Sequence, residues 1–140
     1  MTFHVERIDH VVLRVRDLPA MIRFYEQALG FNVERRLDRI NLVQMRAGAS
    51  MLDLILSDAR APVAASEAPP SQSQAPNMDH LCFRIEPFDR AAIEARLGPL
   101  GIAVGETFQR YGAEGTGPSV YFHDPEGNQI ELKGPPAPAG

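Results

Sequence analysis

The sequence lacks the features that mark several large classes of protein. Its single cysteine, Cys82, excludes an internal disulfide and fits a reducing compartment. The longest apolar runs are far too short to span a bilayer, and residues 1–6 lack the basic and apolar segments of a secretion signal, so we expect a cytoplasmic protein without a membrane partner. The net charge of −4 comes from interspersed charges that offer no basic surface for nucleic acid. A small molecule is the expected partner.

The length of 140 residues, 44% of them hydrophobic, is sufficient for one compact domain or for two small half-domains that share an interface. We expect a single domain over residues 1–140, made of modules 6–56 and 78–134. Residues 57–77, rich in proline, alanine and serine and without an aromatic residue, are expected to form the linker between them.

An internal repeat supports this division. Residues 8–15 read IDHVVLRV, and residues 78–85 read MDHLCFRI. The apolar alternation in each copy predicts a strand whose inner face carries His10 and Arg14, or His80 and Arg84. Two histidines at equivalent places in a repeat suggest that both halves contribute to one site.

The first module is predicted to have the order β-α-β-β-β. Asp17 is a plausible N-cap for a helix with a core-facing apolar stripe, and Gly30 is a favoured residue just beyond a helix end. Three strands should follow, over residues 31–36, 42–46 and 50–56.

The second module repeats the pattern. A shorter helix is expected after Pro87 and Asp89, with its core contacts at Ile93, Leu97 and Leu100. Strands are predicted over residues 102–108, 118–123 and 129–133, with a tight turn at 124–128. The glycine-rich residues 111–117 should allow a close approach of the backbone to another group, but their spacing matches no phosphate-binding loop. The fold class is therefore α+β.

Each last strand carries one acidic residue between apolar neighbours. Leucines or isoleucine should face the helix, which leaves Asp53 and Glu131 on the same faces as His10 and His80. Because buried acids and imidazoles are costly unless paired, one divalent metal ion, Zn, Ni, Mn, Co or Fe(II), would satisfy all four side chains. The simpler interpretation is that the histidines are hydrogen-bonded core residues, and that Arg14 and Arg84 neutralise the two acids.

The chain resembles the vicinal oxygen chelate superfamily, which includes glyoxalase I, extradiol dioxygenases, fosfomycin-resistance thiol transferases and bleomycin-binding proteins. The matching segments are IDH at 8–10, RDL at 16–18, FYEQALGF at 24–31, MDH at 78–80 and YFHDPEGNQIEL at 121–132. The resemblance implies paired βαβββ modules in a cupped mixed sheet, often completed by homodimerisation. It also implies metal ligands at His10, His80 and Glu131. Asp53 matches the fourth ligand of glyoxalase I, usually a glutamate, and is one methylene shorter.

The resemblance is compatible with more than one kind of activity. A glyoxalase-type lyase or isomerase would act through a metal-chelated enediolate, with Glu131 as the first candidate for the catalytic base and Asp53 as the second. In an Fe(II) extradiol-type dioxygenase, His10, His80 and Glu131 would form the two-histidine, one-carboxylate triad. A drug-binding resistance protein is the non-enzymatic alternative. In any of these, Arg14 and Arg84 could instead bind an anionic substrate.

Overall fold

The computed structural model describes residue 2, residues 4–57 and residues 77–138. The chain divides into two compact units, Met1–Ala65 and Ser66–Gly140. Most of the predicted linker, residues 58–76, lies outside the described residues. No helix in the described part of the chain is long and apolar enough to cross a membrane.

The first unit has the predicted order of elements. They are β1 (His10–Val15), α1 (Leu18–Leu29), β2 (Asn32–Leu37), a 3-10 turn (Asp38–Ile40), β3 (Leu42–Ala47) and β4 (Ser50–Leu56). The sheet order is β1-β4-β3-β2, in which β1 and β4 are parallel and the other pairs are antiparallel. The first and last strands of the unit are therefore neighbours.

Helix α1 begins and ends as the sequence predicts. The Asp17 side chain accepts a hydrogen bond from the Ala20 backbone N–H at 3.0 Å, which satisfies one of the free donors of the first turn. Gly30 ends the helix with a left-handed φ of 70°, a conformation that glycine adopts at low cost. The buried residues of the helix include Met21 and Tyr25. On the sheet, Leu13 of β1 and Leu54 of β4 are buried.

The second unit repeats this topology. Its elements are β5 (Leu81–Arg84), α2 (Arg90–Leu97), a 3-10 turn (Gly98–Leu100), β6 (Phe108–Gly112), β7 (Gly115–His123) and β8 (Gln129–Lys133). The sheet order is β5-β8-β7-β6, and β5 pairs with β8 in parallel. Both units are thus four-stranded βαβββ modules, which confirms the α+β fold class.

Two sequence-based expectations for this unit are wrong. Residues 102–107 form no strand, and the pairing strand begins only at Phe108. The backbone before it makes a single ladder-like bond, from the Gly105 N–H to the Tyr121 carbonyl at 3.3 Å. Leu100 is 39% exposed because the chain leaves the α-helix at Gly98 and turns at Gly101, whereas Ile93 and Leu97 are buried as expected.

The turn before β8 fixes the start of the strand that carries Glu131. Asp124 is buried, and its Oδ1 accepts hydrogen bonds from the backbone N–H groups of Glu126 and Asn128. Its Oδ2 accepts a third bond from the Asn128 side-chain amide at 2.8 Å. This side chain stabilises the turn by replacing backbone partners, as aspartate does in many turns.

A candidate metal centre made of histidine and carboxylate pairs

The first module brings one histidine and one carboxylate to the same face of its sheet. In the parallel ladder His10 is opposite Met51, and Asp53 is opposite Val12. Because side chains alternate along a strand, His10 and Asp53 both lie on the face away from the buried Leu13 and Leu54. The sequence-based placement of both residues on one face is therefore confirmed within this module.

Asp53 is buried and only half satisfied. Its exposed fraction is 2%, and its Oδ2 accepts a hydrogen bond from the Gln44 side-chain amide at 3.1 Å. Its Oδ1 is buried and has no hydrogen-bond partner among the residues that the structure describes. Since desolvating a carboxylate oxygen without a partner is costly, this atom is a suitable donor to a cation.

His10 is oriented by its neighbour in the sequence. The imidazole Nδ1 lies 2.7 Å from the Asp9 Oδ2, at the surface of the module. This hydrogen bond raises the pKa of His10, and the charge of Asp53 raises it further. A carboxylate that holds one ring nitrogen leaves the other, Nε2, available to bind a metal.

The second module contains a closer pair. The His80 Nε2 lies 3.1 Å from the Glu131 Oε2, and the Glu131 side chain is only 6% exposed. His80 directly precedes β5, and Glu131 stands opposite Cys82 and Tyr121 in the sheet. The strand pairing therefore delivers this histidine and this carboxylate to one position.

Asp79 repeats the arrangement of Asp9. The His80 Nδ1 lies 2.7 Å from the Asp79 Oδ2, so both histidines have an acidic neighbour on the same ring nitrogen. The Tyr121 ring meets the imidazole of His80 edge-on, with the ring centroids 5.9 Å apart. No role was predicted for Asp9, Asp79 or Gln44 from the sequence. The Asp-His dipeptide that occurs in both copies of the repeat was the available signal.

The two arginines of the repeat do not neutralise the buried acids in the described structure. Arg84 makes its ion pairs with Glu114 at 2.9 Å and with Glu86 at 3.3 Å, and both acids lie at the surface. Arg14 is exposed on β1. Glu131 instead has His80 as its partner, and Asp53 has Gln44. A role for Arg14 and Arg84 in substrate binding stays a prediction.

Cys82 lies beside Glu131 in the sheet of the second module. Partial burial of the thiol, together with the neighbouring Glu131 carboxylate, raises the pKa of Cys82 to about 11. A thiol with such a pKa is protonated at neutral pH, so Cys82 is poorly suited to act as a nucleophile.

The donor set suits a divalent metal ion in its chemistry. Each module supplies an imidazole whose Nδ1 is held by an aspartate, and a carboxylate that is buried on the same sheet face. Imidazole and carboxylate ligands are the ones that Zn, Ni, Mn, Co and Fe(II) accept. Among the residues that the structure describes, no three such side chains lie close enough together to hold a metal ion, and each module by itself has one histidine and one buried carboxylate on the same face.

The chain thus consists of two βαβββ modules, and each has a histidine and an acidic residue on one face of its sheet. This arrangement is typical of proteins that are built from paired modules and bind small molecules. The sequence profile of the Glyoxalase/Bleomycin resistance protein/Dioxygenase superfamily matches residues 7–132. The chain therefore belongs to this superfamily, whose members typically bind small molecules and use a divalent metal ion.

Three similar proteins illustrate the range of the family. The virulence protein STM3117 of Salmonella typhimurium is 34% identical over 130 residues, which cover 91% of this chain and 83% of that protein. Its crystal structure aligns with a TM-score of 0.71, at 29% identity, over 95% of this chain and 99% of that chain. The glutathione transferase FosA of Serratia marcescens is 26% identical over 128 residues, or 91% of this chain and 80% of that protein. The structure of lactoylglutathione lyase from Agrobacterium tumefaciens aligns with a TM-score of 0.62, at 27% identity, over 93% and 94% of the two chains.

Proposed function

We propose that this protein is a divalent-metal-dependent enzyme of the glyoxalase I type, a lyase or isomerase acting on a small molecule with adjacent oxygen atoms. In this proposal the metal ligands are His10, His80 and Glu131, and Asp53 is a fourth oxygen donor. The observation that carries the proposal is the pair formed by His80 and the buried Glu131, whose atoms Nε2 and Oε2 lie 3.1 Å apart. The similar lactoylglutathione lyase supports the reaction class.

The residues of the chain have separate tasks in this proposal. A bound metal ion would act as a Lewis acid that polarises the substrate oxygens and acidifies the adjacent C–H bond. In this proposal Glu131, which is buried in its sheet, accepts and returns the proton at its carboxylate oxygen, and Asp53 is the second candidate for this task. Asp9 and Asp79 hold the Nδ1 atoms of the histidines and so fix the direction of each Nε2.

A second candidate is the transfer of a thiol to a drug. The similarity to the glutathione transferase FosA favours it over the remaining options. An extradiol-type dioxygenase and a non-catalytic drug-binding protein use the same fold, and no contact in the described residues favours either of them. A homodimer is proposed as the functional state.

One set of measurements separates these functions. The purified protein is analysed for bound metal and then loaded with Ni, Zn, Mn, Co or Fe(II). Each form is assayed with the hemithioacetal of glutathione and methylglyoxal, with fosfomycin and glutathione, and with catechol while oxygen is followed. We expect isomerisation of a hemithioacetal, lost in Glu131→Gln. Oxygen uptake with catechol would refute the lyase assignment, and adduct formation with fosfomycin would replace it with the second candidate.

A further inference from the structure

Lys133 is a buried cation that the proposed reaction does not use. It is the last residue of β8, it is 6% exposed, and it stands opposite Ser119 on β7 and Arg84 on β5. Lys133 follows Glu131 by two positions, so the two side chains share one sheet face with their Cα atoms about 7 Å apart. The lysine therefore lies beside the candidate metal ligand, on the same face.

The ammonium group of Lys133 is under-satisfied. It can donate three hydrogen bonds, but it makes one long contact, of 3.4 Å, with the Gly134 carbonyl oxygen. Among the residues that the structure describes, no carboxylate lies within ion-pair distance of Nζ. Because buried lysines are normally paired, this cation has donors available for an anion.

Two glycines make the space in which this side chain lies. A Cβ atom added to Gly112 would come within 2.9 Å of the Lys133 Cε, and one added to Gly117 would come within 2.9 Å of the Nζ. Real Cβ atoms do not approach so closely, so a side chain at Gly112 would displace the lysine, and one at Gly117 would also meet the Pro135 carbonyl oxygen at 2.6 Å. The backbone of the glycine-rich strands β6 and β7 thus lies close beneath the Lys133 side chain.

Ser119 adds a second unused polar group. Its side chain is fully buried, and its Oγ has no hydrogen-bond partner among the described residues. Ser119 faces Lys133 directly across the strands, and such pairs have Cβ atoms about 5 Å apart. A hydroxyl and an ammonium that project from facing positions on one sheet face are complementary to one oxyanion that binds both.

We propose that Lys133 and Ser119 form a binding site for an oxyanionic group of the substrate, a carboxylate, phosphonate or phosphate. This proposal rests on the proposed function in one respect, which is that the substrate also reaches Glu131. It narrows the substrate class to small acids whose anionic group lies about 7 Å from the reacting oxygens, the spacing of alternate residues on a strand. In a nearly dry environment the attraction between the two charges is strong.

The test uses inorganic phosphate and the metal-free protein. Binding is followed as chemical-shift changes in the ¹⁵N-labelled full chain at constant ionic strength. We expect the amides of Gly117, Ser119 and Lys133 to shift, with a Kd of about 1 mM, a reasonable value for so small a ligand. Lys133→Met should weaken binding at least about tenfold, since a hydrogen bond to a charged group is lost. Arg39→Met, which removes an exposed positive charge from the first module, should leave the affinity unchanged.

Stability separates binding from a structural role. Replacing a buried, unpaired ammonium with the apolar side chain of methionine should leave the free energy of unfolding unchanged or increase it. If Lys133→Met binds phosphate like the wild type, or the wild type shows no binding, the oxyanion site is refuted. If Lys133→Met is much less stable but binds phosphate with unaltered affinity, the role of Lys133 is structural, through its hydrogen bond to the Gly134 carbonyl oxygen. The binding test uses the metal-free protein and measures no catalysis. Its result can therefore be interpreted even if the proposed enzymatic function is wrong.

Discussion

The two modules have one topology but hold their acidic residues differently. In the first module Asp53 is bound by the Gln44 amide, and one of its oxygens has no partner among the described residues. In the second module the longer Glu131 reaches the His80 imidazole directly. The two modules thus keep an acidic residue at the same position, while a difference of one methylene accompanies a change of its partner from an amide to an imidazole. We therefore expect the second module to dominate metal binding.

The largest expected effect is the loss of metal binding in His80→Ala. Removing the imidazole beside Glu131 should lower the apparent metal affinity by more than about 100-fold, the upper end of what an outer-shell change produces. Metal analysis after dialysis and calorimetric titration measure this effect. His123→Ala, which removes an exposed histidine from β7, serves as the matched control. Full metal occupancy in His80→Ala would refute the site.

The second effect concerns the residues that orient the histidines. Asp79→Asn should weaken metal binding by about 10-fold or more, because the amide holds the Nδ1 of His80 less strongly. Asp9→Asn tests the same contact in the first module and should have a smaller effect if the second module dominates. Equal losses would show that the modules contribute equally.

The third effect is on the stability of the metal-free protein. Asp53→Asn should raise the free energy of unfolding by about 1 kcal/mol, because it neutralises a buried carboxylate with an unsatisfied oxygen. Asp124→Asn is the control, since both oxygens of that buried side chain accept hydrogen bonds, and it should destabilise the protein by a similar amount. Denaturant unfolding measures both changes. Destabilisation by Asp53→Asn would contradict the view that this carboxylate is poorly satisfied.

The smallest effect on metal binding is expected at Cys82, which follows His80 by two residues just as Val12 follows His10. With a pKa of about 11, only about one thiol in a thousand is ionised at pH 8, a fraction about 200-fold below that of an ordinary thiol, so alkylation should be correspondingly slow. The rate should rise with pH until the pH passes that pKa. Glu131→Gln should accelerate the reaction at pH 8, because it removes a charge that opposes ionisation. Cys82→Val, which copies the first module, should leave metal binding unchanged.

Most of the fold was predictable because it depends on local patterns. The alternation in β1, the Asp17 cap and the stop at Gly30 define their elements without tertiary information. The wrong prediction of a strand over residues 102–107 has a different origin. A strand forms only where a neighbouring strand pairs with it. The pairing of β6 with β7 starts from the turn between Gly112 and Gly115 and extends back only to Phe108, so residues 102–107 lie beyond it.

For the candidate site, the sequence was sufficient to predict which face of its sheet each side chain lies on, but not which side chains are in contact. Alternation places His10, Asp53 and Glu131 on the correct sides of their strands. It does not reveal that Gln44 binds Asp53, since that contact depends on the register between β3 and β4. Nor does it reveal that Lys133 lies over Gly112 and Gly117. The direction of a long side chain across a sheet depends on which neighbouring positions are glycines, and this requires the strand register.

The parallel pairing of the first and last strands has a consequence for the synthesis of the protein. In each module the histidine is made first and its acidic partner last, with the helix and two strands between them. The whole module must therefore be synthesised and leave the ribosome before its histidine and its acidic residue can come together, and a chain cut within a module holds only one of the two. Duplicating the gene segment for one complete module is consequently the smallest duplication that doubles the number of such pairs.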